Sequence, residues 1–178
     1  MGQVFEQLIV AARRGRGLSE KMLVGVTPQT FARKPRFETT GGTKVIDCNH
    51  PAFVYGHLSL YPSRLLALAG LDPALAAAPP EFTDLFKAGV ECKDDPQGAI
   101  YPAMDTITQA FFRGHDAAFE RIASLDDSIL QNPTPDERYR QHFPTVGIAL
   151  TFMLTSHFML HMGQISTWRR CFGLPSAM

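Results

Sequence analysis

The sequence predicts an all-α fold, a four-helix bundle with one long crossover connection. Three observations carry this. Four stretches repeat apolar residues at offsets of three and four, the spacing of one helix face. No alternating strand of any length is visible. A long link, Leu71 to Tyr101, is rich in Pro, Gly and Ala and is long enough to cross a bundle rather than simply reverse. The 178 residues suit one domain spanning 1–178.

The first helix is expected from about Gln3 to Val26, with Val4, Leu8, Ile9, Ala12, Met22 and Leu23 on its apolar side. Gly15 and Gly17 lie inside it and can kink it, since each glycine costs a helix about 1 kcal/mol. Thr27 to Lys44 contains Pro28, Pro35, Gly41 and Gly42 and reads as a connector, with room for one short turn at Pro28 to Ala32.

The second helix starts near Asn49 or His50. Asn49 can cap it, and Pro51 fits the first turn, where a missing N–H is harmless. Gly70 ends it. Its inward stripe is Val54, His57, Leu58, Tyr61, Leu65 and Leu68. In the long link, Glu81 to Ala88 is a candidate short helix.

The third helix opens at Pro102 and reaches about Leu125, with Met104, Ile107, Phe111, His115, Ala118, Ile122 and Leu125 inward. A loop rich in Asp, Asn and Pro follows. The fourth runs from near Pro144 to Phe172, where Gly173 and Pro175 stop it. Its stripe is Leu150, Met153, Leu154, His157, His161, Ile165, Trp168 and Phe172.

Bulk properties narrow the function classes. Seventeen basic residues balance seventeen acidic ones, so nothing draws the chain towards nucleic acid or anionic lipid, and neither partner is expected. The apolar runs Leu8 to Ala12 and Val146 to Leu154 are short of a signal core and of the roughly 20 residues a membrane span needs. A cytoplasmic protein is expected. Cys48, Cys92 and Cys171 are odd in number and widely spaced, so they read as reduced thiols rather than a disulfide framework or thiolate zinc site.

The chemistry-bearing pattern is His57, His157 and His161. His157 and His161 are four apart on one helix, so their imidazoles lie on one face and can converge on one metal. His57 points inward from another helix. Each alone also reads as a core histidine with one satisfied hydrogen bond. Three together are harder to bury without a shared cation, because each unpaired polar group costs roughly 1–3 kcal/mol. Pattern alone leaves the metal site and the core cluster both open.

A resemblance bears on the choice. The segment GHLSLYPSRLLALAG resembles the "GHL" helix of the DinB/YfiT-like superfamily. HFMLHMGQISTWRRCFGLP resembles that family's last helix, with its paired histidines, Gly-Gln and basic pair. VGVTPQTFARKPRF is similar to its first loop. The resemblance spans nearly the whole chain and is weakest across Leu71 to Tyr101. It implies a four-helix bundle with an unusual crossover, a divalent metal on His57, His157 and His161, and in many members a homodimer. It further implies a small-molecule substrate, and either transfer of a low-molecular-weight thiol or metal-dependent hydrolysis. A non-enzymatic metal-binding or stress-related bundle is the alternative.

Three neutral imidazoles without a fourth protein ligand would leave the metal open to substrate. Zinc and nickel are the first candidates, with iron and manganese behind them. Such a site lowers the pKa of bound water towards about 7 or polarises a carbonyl or thiol. The metalloprotease HExxH motif is absent, since Phe158 occupies its Glu position. Tyr61, one turn beyond His57, is a candidate proton donor. Gln164, three residues past His161, can orient bound water but is no base. His115 is a candidate neighbour of the site or fourth ligand, against a core role. His50 lies roughly 10.5 Å along the helix from His57, too far to share its metal, and fits the helix start. His142 is expected in solvent. Arg169 and Arg170 are expected to complement the last helix's dipole, with anion binding as the alternative.

Overall fold

The computed structural model describes residues 2–177. Most of them are helical. Helix α1 (Gln3–Met22) runs unbroken through Gly15 and Gly17. Gly15 serves a close approach instead of a kink: a Cβ there would meet the Phe158 ring at 3.2 Å. The buried face of α1 is Phe5, Ile9, Ala12 and Met22, and Val4 is 49% exposed. The helix stops short of the expected Val26, and Gly25 follows with φ +79°, the left-handed turn of a helix end.

The connector contains more than the expected turn. A short helix α2 (Pro28–Phe31) is followed by strands β1 (Arg36–Thr39) and β2 (Gly42–Val45). The strands pair antiparallel with Arg36 opposite Val45 and Thr39 opposite Gly42. This hairpin corrects the expectation of no strand. Its residues are almost all exposed, so no one-sided burial writes an alternating pattern into the sequence.

The expected second helix is two helices, α3 (Pro51–Ser59) and α4 (Tyr61–Leu68). Pro62 has no N–H to continue the ladder, and the break falls at Leu60. His50, not Asn49, caps α3: its Nδ1 accepts the Phe53 N–H at 3.2 Å. Every residue of α3 is buried, beyond the single stripe expected.

In the long link the candidate helix is α5 (Phe82–Phe86). The link is fastened at its far end. Asp94 accepts from Arg33, Arg36 and the Lys34 N–H, and the Asp95 N–H donates to the Ala32 carbonyl. Helix α6 (Met104–Ala123) buries Ile107, Phe111, His115, Ala118 and Ile122, as its periodicity requires.

The last stretch is not one uniform helix. Thr145 caps α7 (Val146–Thr151), a π-helical segment covers Phe152–His157, and α8 (Phe158–Cys171) completes it. By length and composition the run Val146–Cys171 would suffice to cross a bilayer, which corrects the sequence-based statement that no segment does. Here its apolar face, Leu150, Leu154, Ile165 and Trp168, is packed inside the protein.

Helix α1 packs on α6 and α8, α3 on α6 and α8, and α4 on α6. Two apolar clusters result. One centres on Tyr55, Phe111, Phe158 and Trp168, the other on Phe5, Leu66, Phe119 and Leu150. They meet at a small void lined in part by Leu58, Tyr61, Leu65, His115, His157 and Phe158.

Candidate metal centre

His57 is set by its neighbour in sequence. A Cβ at Gly56 would lie 2.6 Å from the Phe86 ring, so only glycine lets α5 rest this closely on α3. That contact brings the Phe86 carbonyl to His57, whose Nδ1–H donates to it at 2.7 Å. The bond fixes the tautomer and leaves Nε2 with a free lone pair.

His161 is set the same way by a different partner. Its Nδ1–H donates to Gln164 Oε1 at 3.0 Å, and Gln164 Oε1 also accepts from Asn49 Nδ2 at 3.2 Å. His157 is the last residue of the π segment, and His161 lies one α-turn beyond it. A wide π turn is rare in helices and concentrates at functional sites.

The three imidazoles face one another. Ring centroids are 4.8 Å apart for His57 and His161, 4.7 Å for His157 and His161, and 5.6 Å for His57 and His157. Each offers a ring nitrogen, and the three ligand atoms lie within 4.8 Å of one another. His157 Nε2 and His161 Nε2 are 3.2 Å apart. Two imidazole nitrogens bound tetrahedrally at 2.0–2.1 Å would stand about 3.3 Å apart, so this pair already has the spacing of co-ligands.

Hydrogen bonding alone serves the cluster poorly. The one contact between rings requires a proton on one of two nitrogens that otherwise repel as lone pairs. His157 Nδ1 is buried without a hydrogen-bond partner, and a cation on Nε2 would leave it so. A shared cation would engage all three inward nitrogens at once. The donor set therefore fits a borderline divalent ion with an open position.

Electrostatics favour the ligand form. Burial, then the neighbouring imidazoles and Arg64, push His157 down to about 4. Burial also lowers His57 and His161. All three are neutral near pH 7, as ligands must be. The charged group acting on His57 and His157 is Arg64, and among the described residues no carboxylate belongs to the cluster.

The other candidates separate. Tyr61 lies against the cluster, its ring 4.3 Å from that of His157 and 5.1 Å from that of His57. Burial raises its phenol, so it keeps its proton. Gln164 orients His161 rather than standing free for water. His115 lies outside the cluster: its Nδ1–H donates to the Phe111 carbonyl at 2.8 Å, and its ring sits among Phe111, Phe119 and Phe158. That is the core role. His50 Nε2–H donates to the Lys93 carbonyl at 2.8 Å, and His142 is exposed. Arg169 neither binds an anion nor merely faces the dipole of its own helix. It is buried and donates to the carbonyls of Met22, Val24 and Pro175, tying the end of α1 to the C-terminal segment.

Sequence reasoning missed Gly56, Phe86, Asn49 and Arg64. Gly56 and Asn49 stand beside residues already singled out, but no local pattern says which atom each will meet. Beyond Gln164 lies a groove of about 730 Å³ lined in part by Cys48, Asn49, Cys92, Leu160 and Thr167. Its Cys92 thiol is pushed up to about 11 by burial and is not a thiolate near pH 7.

No family model matches the chain, and no curated protein or solved structure matches it.

Proposed function

We propose that the chain is a four-helix bundle of the DinB/YfiT-like kind whose His57, His157 and His161 hold a divalent metal for chemistry on a small molecule. The four legs would be α1, α3 with α4, α6, and the run from α7 through α8. The link from Leu71 to Tyr101 would be the crossover. The packing of α1 and α3 on both α6 and α8 supports this arrangement.

One observation carries the functional reading. Three neutral imidazoles turn nitrogens towards one another, and two of them have the opposite nitrogen pinned by a dedicated acceptor, Phe86 and Gln164. Acceptors placed behind ligands in this way fix ring orientation and raise ligand basicity. A divalent ion held there supplies Lewis-acid chemistry, polarising a carbonyl or activating a thiol.

Two reactions fit an open position on such an ion, transfer of a low-molecular-weight thiol and hydrolysis. Among the described residues the cluster holds no carboxylate to serve as general base, and a bound ion would itself bring the pKa of water towards about 7. A free thiol ionises at about pH 8.5 and would be activated by the ion in the same way. In the transfer a sulfur–carbon bond forms and the bond to the leaving group breaks. The thiol proton would go to solvent, and the Tyr61 phenol, whose ring lies beside those of His57 and His157, would protonate the leaving group and regain its proton from solvent.

The experiment is a screen of bacillithiol, mycothiol and glutathione against a generic electrophile, with metal-loaded protein. Loss of free thiol faster than the buffer rate, abolished by His57→Ala, supports transfer. Ester cleavage without thiol consumption would favour the hydrolase. A loaded protein inactive in both assays would favour a non-enzymatic metal-binding role. Exposed Ile148, Met159 and Leu160 on the last helical run support a homodimer, which sedimentation velocity tests.

A further inference from the structure

Arg64 lies on α4, one turn beyond Tyr61 and two beyond His57. Its guanidinium sits over the Tyr61 ring, 5.0 Å from the centroid. The same ring touches the imidazoles of His57 and His157. One aromatic side chain therefore links an arginine to the metal cluster.

Several other arginines are occupied. Arg16 pairs with Asp116 and Glu20, Arg33 and Arg36 with Asp94, and Arg138 with Asp136. Arg140 and Arg169 donate to backbone carbonyls. Among the described residues Arg64 forms no ion pair and no hydrogen bond, and stacking alone positions it. It is exposed, so its planar fork of donors is open to solvent.

The sign of the local charge adds a second argument. Arg64 is stacked on the ring that borders His57 and His157, and among the described residues no carboxylate joins the cluster to offset it. A divalent ion on the triad would raise the local charge to about +3 with three neutral ligands and no protein counter-charge. A neutral substrate leaves that charge uncompensated, and an anionic one neutralises part of it. The apolar Phe152 ring stands 5.9 Å from that of His157, and the Phe143 ring 5.0 Å from that of Phe152, so an apolar wall also borders the cluster.

We infer that Arg64, stacked on Tyr61, is an anion-binding subsite that takes a carboxylate or phosphate group of the small-molecule substrate. The inference rests on the metal-centre reading for its place beside the reacting group, but not for the binding itself. Arginine meets either oxyanion with two parallel N–H donors, and such charge-assisted bonds are the strong ones.

Calorimetric titration of zinc-loaded protein with succinate, inorganic phosphate and neutral succinamide tests it, with metal content and melting temperature measured on the same samples. Wild type should bind at least one of the two anions, and succinamide about tenfold more weakly or not at all. Arg64→Gln should lose about tenfold or more of the anion affinity at unchanged metal content, and Arg64→Lys should recover part of it. The anion with the larger Arg64-dependent loss identifies the group. Unchanged affinity in a fully loaded Arg64→Gln protein, or no preference for anions in wild type, overturns the subsite alone. Anion binding that depends on Arg64 in protein that takes up no zinc upholds the subsite and overturns the metal centre.

Discussion

The Nδ1–H of His57 donates to the carbonyl of Phe86 at 2.7 Å, and Phe86 belongs to the long link, twenty-nine residues further along the chain. The segment with the least regular structure thus orients a residue of the most buried helix. Gly56 makes the contact possible.

Gly56→Ala should therefore act twice. The new methyl meets the Phe86 ring and should cost about 1–3 kcal/mol in chemical denaturation. Displacing the carbonyl frees the His57 ring, and metal affinity should fall roughly 10–100-fold by competition with a chromophoric chelator. Stability loss with unchanged metal affinity would show that Phe86 only packs.

Gln164→Leu removes the acceptor behind His161 and the partner of Asn49. Metal affinity should again fall roughly 10–100-fold. Asn49→Ala should have a smaller effect, and the double variant should resemble Gln164→Leu, because Asn49 acts only through Gln164. Additive losses on the same chelator competition would contradict that chain of bonds.

Metal-free protein should be acid-sensitive. Burial lowers His50 and His115 from 6.5 to about 4. The unfolded chain binds these protons more readily, so stability is complete above about pH 6.5 and falls as pH drops towards 4. His115 alone should account for on the order of 2 kcal/mol at pH 5. Urea midpoints at pH 7 and pH 5 measure it. A flat profile that His115→Phe does not alter would contradict the burial argument.

Much of this was legible in the sequence. Helical periodicity placed the histidines correctly because His57, His157 and His161 fall on stripes with Leu58, Leu154 and Ile165. The hairpin was not legible, because Arg36–Thr39 and Gly42–Val45 bury neither face. The break at Leu60 had a signal in Pro62. The π segment before His157 had none, since FMLTSH carries the apolar spacing of an ordinary helix. Arg169 was misread because a basic residue in a last turn usually meets its own helix's carbonyls, whereas here it meets those of α1. The residues behind the three histidines are contacts between distant segments, and no local pattern encodes them.

Removing the metal should leave the fold in place. The chain has two apolar clusters of its own and no need of an ion to form them. Chelation should keep the helical circular-dichroism signal and lower the melting temperature by about 5–10 °C, the loss of bound-ligand stabilisation at roughly 100 Kd. Unfolding on chelation would instead make the ion a structural staple.

Elemental analysis of protein purified without a histidine tag tests the central claim most directly. Wild type should carry about one divalent ion per chain, and His57→Ala and His161→Ala should each lose most of it while remaining folded. Metal content near zero in wild type after incubation with zinc or nickel, or content unchanged in both variants, would contradict the metal centre.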